Sequence, residues 1–310
     1  MIILESFESI EVAVPKAVNA LQNLEGVALF HELRGSRHPL GAYNISLAAV
    51  ARRFVSVLNE LHRAKTQGRY LDPKEYRWDI ELLEATDHLL DSLMEHLEDC
   101  SGIFESFFEN DKDNTLKRIK LDFLSSIKPY RTHIGTVVNY MKHHQGRLRS
   151  VTFSWAGGGS IGYFVEGPIA GGAVGPTKKI HPSEATAFSF NRNIPYHLCS
   201  VFAVGSRLAS ALHDIDRRII GTSARKYTEM SDGEWGSALR QTADLSRDFF
   251  PDEVALDVPA VEAWRNGIKI QFPGSRRGVR GPHGTARISC SFAGDGATNN
   301  FRAPYFNAKS

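Results

Sequence analysis

The stretch NYMKHHQGRLRS, residues 139–150, gathers the groups of this 310-residue chain best suited to moving protons and holding phosphate. Asn139 and His143 are four residues apart, so on a helix they share one face, with Lys142 beside them. Tyr140 and His144 form the neighbouring pair. Imidazole titrates nearest neutrality of all side chains, and a cation at a scissile phosphate steadies the charge that develops there. His143 and Asn139 are the candidate catalytic pair, and Lys142, Arg147, Arg149 or Arg131 the candidate cations. The same residues have a plainer use. Cations in a last helical turn complement the dipole and cap carbonyls, and Asn and His inside a bundle form a satisfied polar network.

Two further stretches carry chemistry. SRRGVRGPHGTAR, residues 275–287, sets Arg276, Arg277 and Arg280 among glycines, a composition suited to flexible phosphate contact or to a solvated loop. Gly158-Gly159-Ser160-Ile161-Gly162 matches the letters of a nucleophile elbow, but the β-type residues that follow put Ser160 on a hairpin tip, where a hydrolase needs strand, turn and helix. No HExxH is present, and no histidine pair stands with an acid in metal-ligand order, so neither a metal nor a cofactor is expected. The helix around His88 and His96 is acidic (Glu84, Asp87, Asp91, Glu95, Glu98, Asp99), which suits a solvated face or a docking surface.

The 139–143 spacing resembles the signature of the HEPN superfamily of helical bundles: an arginine, a polar residue, three residues, then histidine. Asn139 and His143 fill the last two places, and Val138 stands where the arginine belongs. The resemblance implies an RNA-directed protein of a prokaryotic defence or toxin module, often a metal-independent ribonuclease, in which two bundles pair to build one site. The missing arginine points to binding rather than cleavage, because lysine is a poorer bidentate partner for phosphate.

The elements that must position these residues are mostly helical. ISLAAVARRFVSVLNELHRA sets Ile45, Ala48, Ala49, Arg52, Val55, Leu58 and Leu61 at helical steps. Asp72-Pro73 reads as a helix start, residues 110–114 as a break, and Leu116 to Met141 as a further helix that Pro129 kinks or divides and Gly146 stops. Residues 151–167 read as a β-hairpin around glycines, IAGGAVGPTKK as loop, residues 196–219 and about 234–246 as helices, and GIKIQF and TARISCSF as strands. A short strand precedes a helix from about Pro15. The fold expected is mainly α with β embellishments: a four- to five-helix bundle with an inserted hairpin and a β-containing C-terminal tail. The divisions are 1–40, 41–220 with the hairpin near 151–181, and 221–310.

Composition limits the function classes. With 42% hydrophobic and 23% charged residues the chain reads as globular. A net charge of only +2 means that nucleic-acid binding must come from local patches. Cys100, Cys199 and Cys290 are odd in number and far apart, which argues against a disulfide framework. The acidic start MIILESFESIEVAV lacks the basic region of a signal peptide, and no apolar run reaches membrane-spanning length. The expectation is a cytoplasmic protein whose partner is nucleic acid, RNA above DNA, acting as a homodimer or with an operon-encoded protein. The alternative is a non-enzymatic interaction or scaffolding subunit.

Overall fold

The computed structural model describes residues 14–24, 29–67, 78–109, 113–181, 186–219, 233–264, 267–272, 274–291 and 300–305. The chain is mainly α with β elements. It has six helices, α1 (Lys16–Gln22), α2 (Pro39–Gln67), α3 (Trp78–Gly102), α4 (Asn114–His143), α5 (Phe190–Ile219) and α6 (Glu234–Ala243), among the described residues. The strand expected before Pro15 and the helix start at Asp72-Pro73 lie outside them.

Burial follows the largest apolar side chains. On α2 the buried stripe is Tyr43, Leu47, Val50, Phe54, Val57, Leu58 and Leu61, while Ile45 is 53% exposed. The expected stripe through Ile45, Ala48 and Arg52 is therefore rotated: two aromatic rings remove more area from water than the alanines beside them. Asp113 caps α4, its Oδ1 accepting from the backbone N–H of Thr115 (2.9 Å) and Leu116 (3.0 Å). Pro129 does not divide this helix, which runs from Asn114 to His143 with the proline inside it. Ser125, whose carbonyl the missing Pro129 N–H leaves without its helical donor, and Pro129 itself are exposed, which puts the interruption on the solvent side of the helix.

The four long helices pack in chain order, α2 on α3, α3 on α4 and α4 on α5. Between α2 and α5 stands α6, whose Trp235 ring meets Phe54 (6.3 Å) and Phe202 (5.6 Å). α1 packs on α5 and α2.

The β part is larger than a hairpin. β1 (Arg147–Trp155) and β2 (Gly158–Ile169) pair antiparallel around a tip where Gly157 has φ 79°. The segment read as loop after Ile169 turns at Gly171 and Gly172, both at positive φ, into β3 (Ala173–Pro176). β4 (Phe188–Ser189) pairs with β2. The C-terminal β7 (Arg287–Cys290) pairs with β1, and β5 (Ala260–Trp264) with β6 (Gly267–Gln271) form a separate two-stranded ribbon. The five-stranded sheet is clamped on both faces. Leu148, Tyr163 and Val165 join the helical core. Val151, Phe153, Trp155 and Phe164 form a second cluster with Ala187 and Phe250.

Gly162 marks a tight contact of this clamp against backbone: a Cβ there would lie 2.1 Å from the Phe188 carbonyl and 2.5 Å from the Phe250 ring. Gly162→Ala is expected to cost about 3 kcal/mol, the upper range for overpacking, because backbone cannot yield. Gly41→Ala, in open space on α2, is expected to stabilise by about 0.5–1 kcal/mol. Urea midpoints of the two variants test both signs.

Candidate functional site

The cationic stretch lies where α4 runs into the sheet. α4 ends at His143, and His144 N–H bonds back to the Tyr140 carbonyl (2.9 Å). The left-handed residue of the exit is Gln145 (φ 55°), one place before the expected glycine stop. Gly146 serves packing, since a Cβ there would strike the Tyr140 ring at 2.6 Å. Tyr140 itself stacks on His144 and presses its hydroxyl against Gly167 of β2, fixing the helix end to the sheet.

Asn139 and His143 are exposed on α4, while Val138 points into the core at 3% exposure. The nearby cations face acids of the same chain. Lys142 Nζ lies 3.0 Å from Asp91 of the acidic helix α3. A cleft of about 300 Å3 beside this pair is lined by Glu84, Asp87, Asp91, Lys142 and Arg147. Arg149 grips Glu166 of β2 through Nε and Nη2, both at 2.9 Å. In the other basic stretch Arg280 holds Asp248 in a two-point pair (2.7 and 2.9 Å), and Arg276 lies 3.8 Å from Asp257. Arg277 is exposed, and its carbonyl accepts from Arg247 (2.8 Å). So Lys142, Arg149, Arg276 and Arg280 all have carboxylate partners. Arg147 is exposed and donates to the Gly146 carbonyl (2.9 Å). Ser160 is a mid-strand residue opposite Phe153, 2% exposed, so it does not form a nucleophile elbow.

A second constellation, which the reading of the sequence missed, lies where α4, α5 and the sheet meet. Tyr130 and His133 come from α4, Arg192, Asn193, Tyr196 and His197 from α5, Tyr163 from β2, and His181 from the turn after β3. The Tyr130 hydroxyl lies 3.1 Å from His197 Nδ1. The His133 ring stacks on His197 with centroids 6.2 Å apart, and Tyr196 meets His133 edge-on at 6.0 Å. The Tyr163 hydroxyl donates to Asn193 Oδ1 (2.9 Å), and Val165 N–H donates to His181 Nε2 (3.0 Å). His181 and His197 are essentially inaccessible, while His133, Arg192, Tyr196 and Phe188 are partly exposed and form the rim.

Burial controls the protonation of this cluster. Desolvation, with Arg192 adding to it, pulls His133 down to about 4. Desolvation and His133 pull His181 down to about 3. Desolvation, then His133 and Arg192, hold His197 well below its ordinary value. All three are neutral imidazoles at neutral pH, the form in which a histidine accepts a proton. Nearby, Glu253 is fully buried and burial pushes it up to about 7, although Arg192 and the N–H groups of Ser189 and Phe250 (both 3.1 Å) favour its charged form.

The signal that would have found this cluster is the one applied to residues 138–143. Arg192-Asn193-Ile194-Pro195-Tyr196-His197 has the arginine, the polar residue, the three-residue gap and the histidine, with no departure. The helical period of the sequence is plain only from residue 196, whereas α5 starts at Phe190 and holds the run in its first turns. Pro195 sits inside that helix and disguised its start. No protein-family model, curated protein or solved structure matches the chain. Among the described residues no group of three or more His, Cys, Asp or Glu is placed to hold a metal ion, and no helix is long and apolar enough to cross a membrane.

These protonation states set the pH dependence of folding. The unfolded chain protonates its histidines below about 6.5, whereas the folded chain keeps the three neutral. Stability therefore falls as pH drops from about 6.5 towards 4, each histidine adding at most about 1.4 kcal/mol per pH unit. Glu253 acts oppositely: its contribution is present below the unfolded value of about 4.3 and is lost as pH rises through 7. Urea unfolding from pH 4 to 8 is expected to show a shallower acid limb in His197→Gln. Glu253→Gln is expected to gain on the wild type as pH rises from 5 to 8.

Proposed function

We propose that this chain is a HEPN-like, RNA-directed protein whose phosphate-facing set is Arg192, Asn193 and His197 on α5. The observation that carries the reading is the intact Arg-Asn-x3-His run, together with the clustering of its arginine and histidine beside a second histidine from α4. The chemistry fits the residues. A neutral imidazole takes the proton of a ribose 2′-hydroxyl, and that oxygen bonds to the adjacent phosphorus. The bond from phosphorus to the 5′-oxygen then breaks, and the leaving oxygen takes a proton from water. A guanidinium steadies the charge on the non-bridging oxygens, which lysine does less well. On this reading the protein works in a prokaryotic defence or toxin module, and two copies pair. His197 is 1% exposed, so RNA reaches it only when the rim opens. Binding is therefore the dominant activity and cleavage is slow.

A second reading, a protein-interaction subunit, draws support from the paired cations. Each phosphate contact by Lys142, Arg149, Arg276 or Arg280 must first break a carboxylate pair. That competition weakens the electrostatic gain on which non-specific nucleic-acid binding depends.

RNA binding across a salt series, with RNA integrity read from the same samples, separates the readings. The expected result is salt-dependent binding that weakens in Arg192→Ala, and slow cleavage that falls by about 10²–10⁴-fold in His197→Ala. Asn139→Ala and His143→Ala are expected to match the wild type. Loss of activity in His143→Ala but not in His197→Ala would return the site to the end of α4. Absence of salt-dependent RNA binding would favour the interaction subunit.

A further inference from the structure

Arg192 Nε, His197 Nε2 and His181 Nδ1 are all buried and have no hydrogen-bond partner. His133 stacks on His197 at 6.2 Å, and His133 and His181 flank the same Phe188 ring at 6.0 and 4.8 Å, while Arg192, His181 and His197 each interact electrostatically with His133. Hydrogen bonding constrains what these atoms offer. The Val165 N–H can only donate, so His181 Nε2 is the acceptor and the proton of the neutral ring sits on Nδ1. A guanidinium Nε–H is always a donor. The Tyr130 hydroxyl and His197 Nδ1 share a hydrogen bond whose direction follows the tautomer: when the hydroxyl donates, Nε2 carries the proton of that ring, and when it accepts, Nε2 is the open acceptor. The cluster thus presents two unused donors, Arg192 Nε and His181 Nδ1, joined by His197 Nε2 as a third when Tyr130 donates, and no matching acceptor among the described residues. Buried donors are nearly always satisfied, and each exception calls for an explanation.

The carboxylates that act on this guanidinium do not fill the role. Glu253 accepts from the Ser189 and Phe250 N–H groups, and Asp252 accepts from the Tyr305 hydroxyl at 2.5 Å. Arg192 spends one Nη on the Asp257 carbonyl (3.1 Å), leaving Nε free. A water molecule brings two donors of its own and matches such a set poorly. A phosphodiester brings only acceptors, and hydrogen phosphate brings three acceptor oxygens to one donor, so a phosphate-type oxyanion matches it better.

We propose that His181 and His133 join Arg192 and His197 in one binding site for a phosphate-type oxyanion, entered past the partly exposed rim of His133, Arg192, Tyr196 and Phe188. The proposal deepens the RNA-directed reading by naming the groups that hold the phosphate, and it rests on that reading only for the source of the phosphate. Two of the four ligating groups lie outside the Arg192–His197 run and come from other elements of the same chain, so one copy builds the anion pocket by itself. His133 is the adjustable member. It is neutral in the empty pocket, and an arriving anion favours its protonated form.

The test is imidazole ¹⁵N and ¹H resonances of the full chain, assigned by single His→Gln variants and titrated at pH 7 with inorganic phosphate, with a short RNA, and with sodium chloride at matched ionic strength. Saturable shifts of the His133, His181 and His197 signals with phosphate, absent with chloride, are expected. Apparent affinity should weaken by about tenfold in His181→Gln, which forfeits one charge-assisted bond. Its Gln keeps an acceptor for the Val165 N–H, and Arg192→Lys at the rim is a second variant that leaves the buried packing alone. Phosphate shifts without RNA binding would sustain the pocket and sink the RNA-directed reading. RNA cleavage that survives His181→Gln and His133→Gln, with imidazole signals unmoved by phosphate, would overturn the pocket and leave that reading standing. Signals that ignore both phosphate and RNA would overturn it as well.

Discussion

The contact between Tyr130 and His197 joins α4 to α5 at the point on which both the helical core and the sheet lean. It is a single neutral hydrogen bond in a dry environment. Such a bond is modest in net worth and expensive to leave unmade. Around it every polar group that enters the junction must find a partner or remain neutral. Asn193 is held by Tyr163, and His181 is held by the backbone of β2. The junction therefore ties three separate elements together by satisfying groups that hydrocarbon packing alone would strand. The same enclosure keeps three histidines uncharged, so what defines the architecture also defines the chemistry available there.

Charge on the rest of the molecule is organised by a different rule. A net charge of +2 conceals strong local charges of both signs, and the fold brings them face to face. The acidic face of α3 meets the cationic end of α4 at Asp91 and Lys142. Arg149 and Glu166 pair across adjacent strands, and Arg280 and Asp248 join the basic loop to the segment before Phe249. The exposed Lys142–Asp91 pair adds little stability, whereas Arg149–Glu166 and Arg280–Asp248 are partly buried two-point pairs. Their effect is to consume the groups that a linear reading assigns to phosphate. Two stretches that look like binding surfaces in the sequence are, in the fold, largely neutralised seams.

The helices and the main hairpin were legible because apolar periodicity is local. α3, α4 and the strands from 147 to 169 sit close to where the spacing puts them, and Asp113 marks its helix start by an ordinary cap. What was not legible depended on partners distant in sequence. The stripe of α2 turned on which side chains were largest. β3 depended on two glycines at positive φ within an apparently irregular run. β7 became a strand of the main sheet only by pairing with β1 across more than a hundred residues of chain. The site was obscured in the same way. Position 138 drew attention because histidine and cations follow it, yet its valine is a core residue. The intact run at 192–197 lay across a helix start that Pro195 obscured.

The placement of that run bears on how such a site would be controlled. An arginine at the rim and a histidine in the interior, five residues apart on one helix, sit at different depths. On the proposed reading the arginine would meet an incoming anion first, with the histidine behind the Tyr196 ring, 5.3 Å away. Association would then depend on the rim, and any chemistry on access to the interior. On the same reading, a buried imidazole held neutral would be limited by access rather than by basicity. In such an arrangement the closed state is held by packing energy shared among α4, α5 and β4. Whatever binds at the rim strongly enough to loosen that packing would open the interior as well.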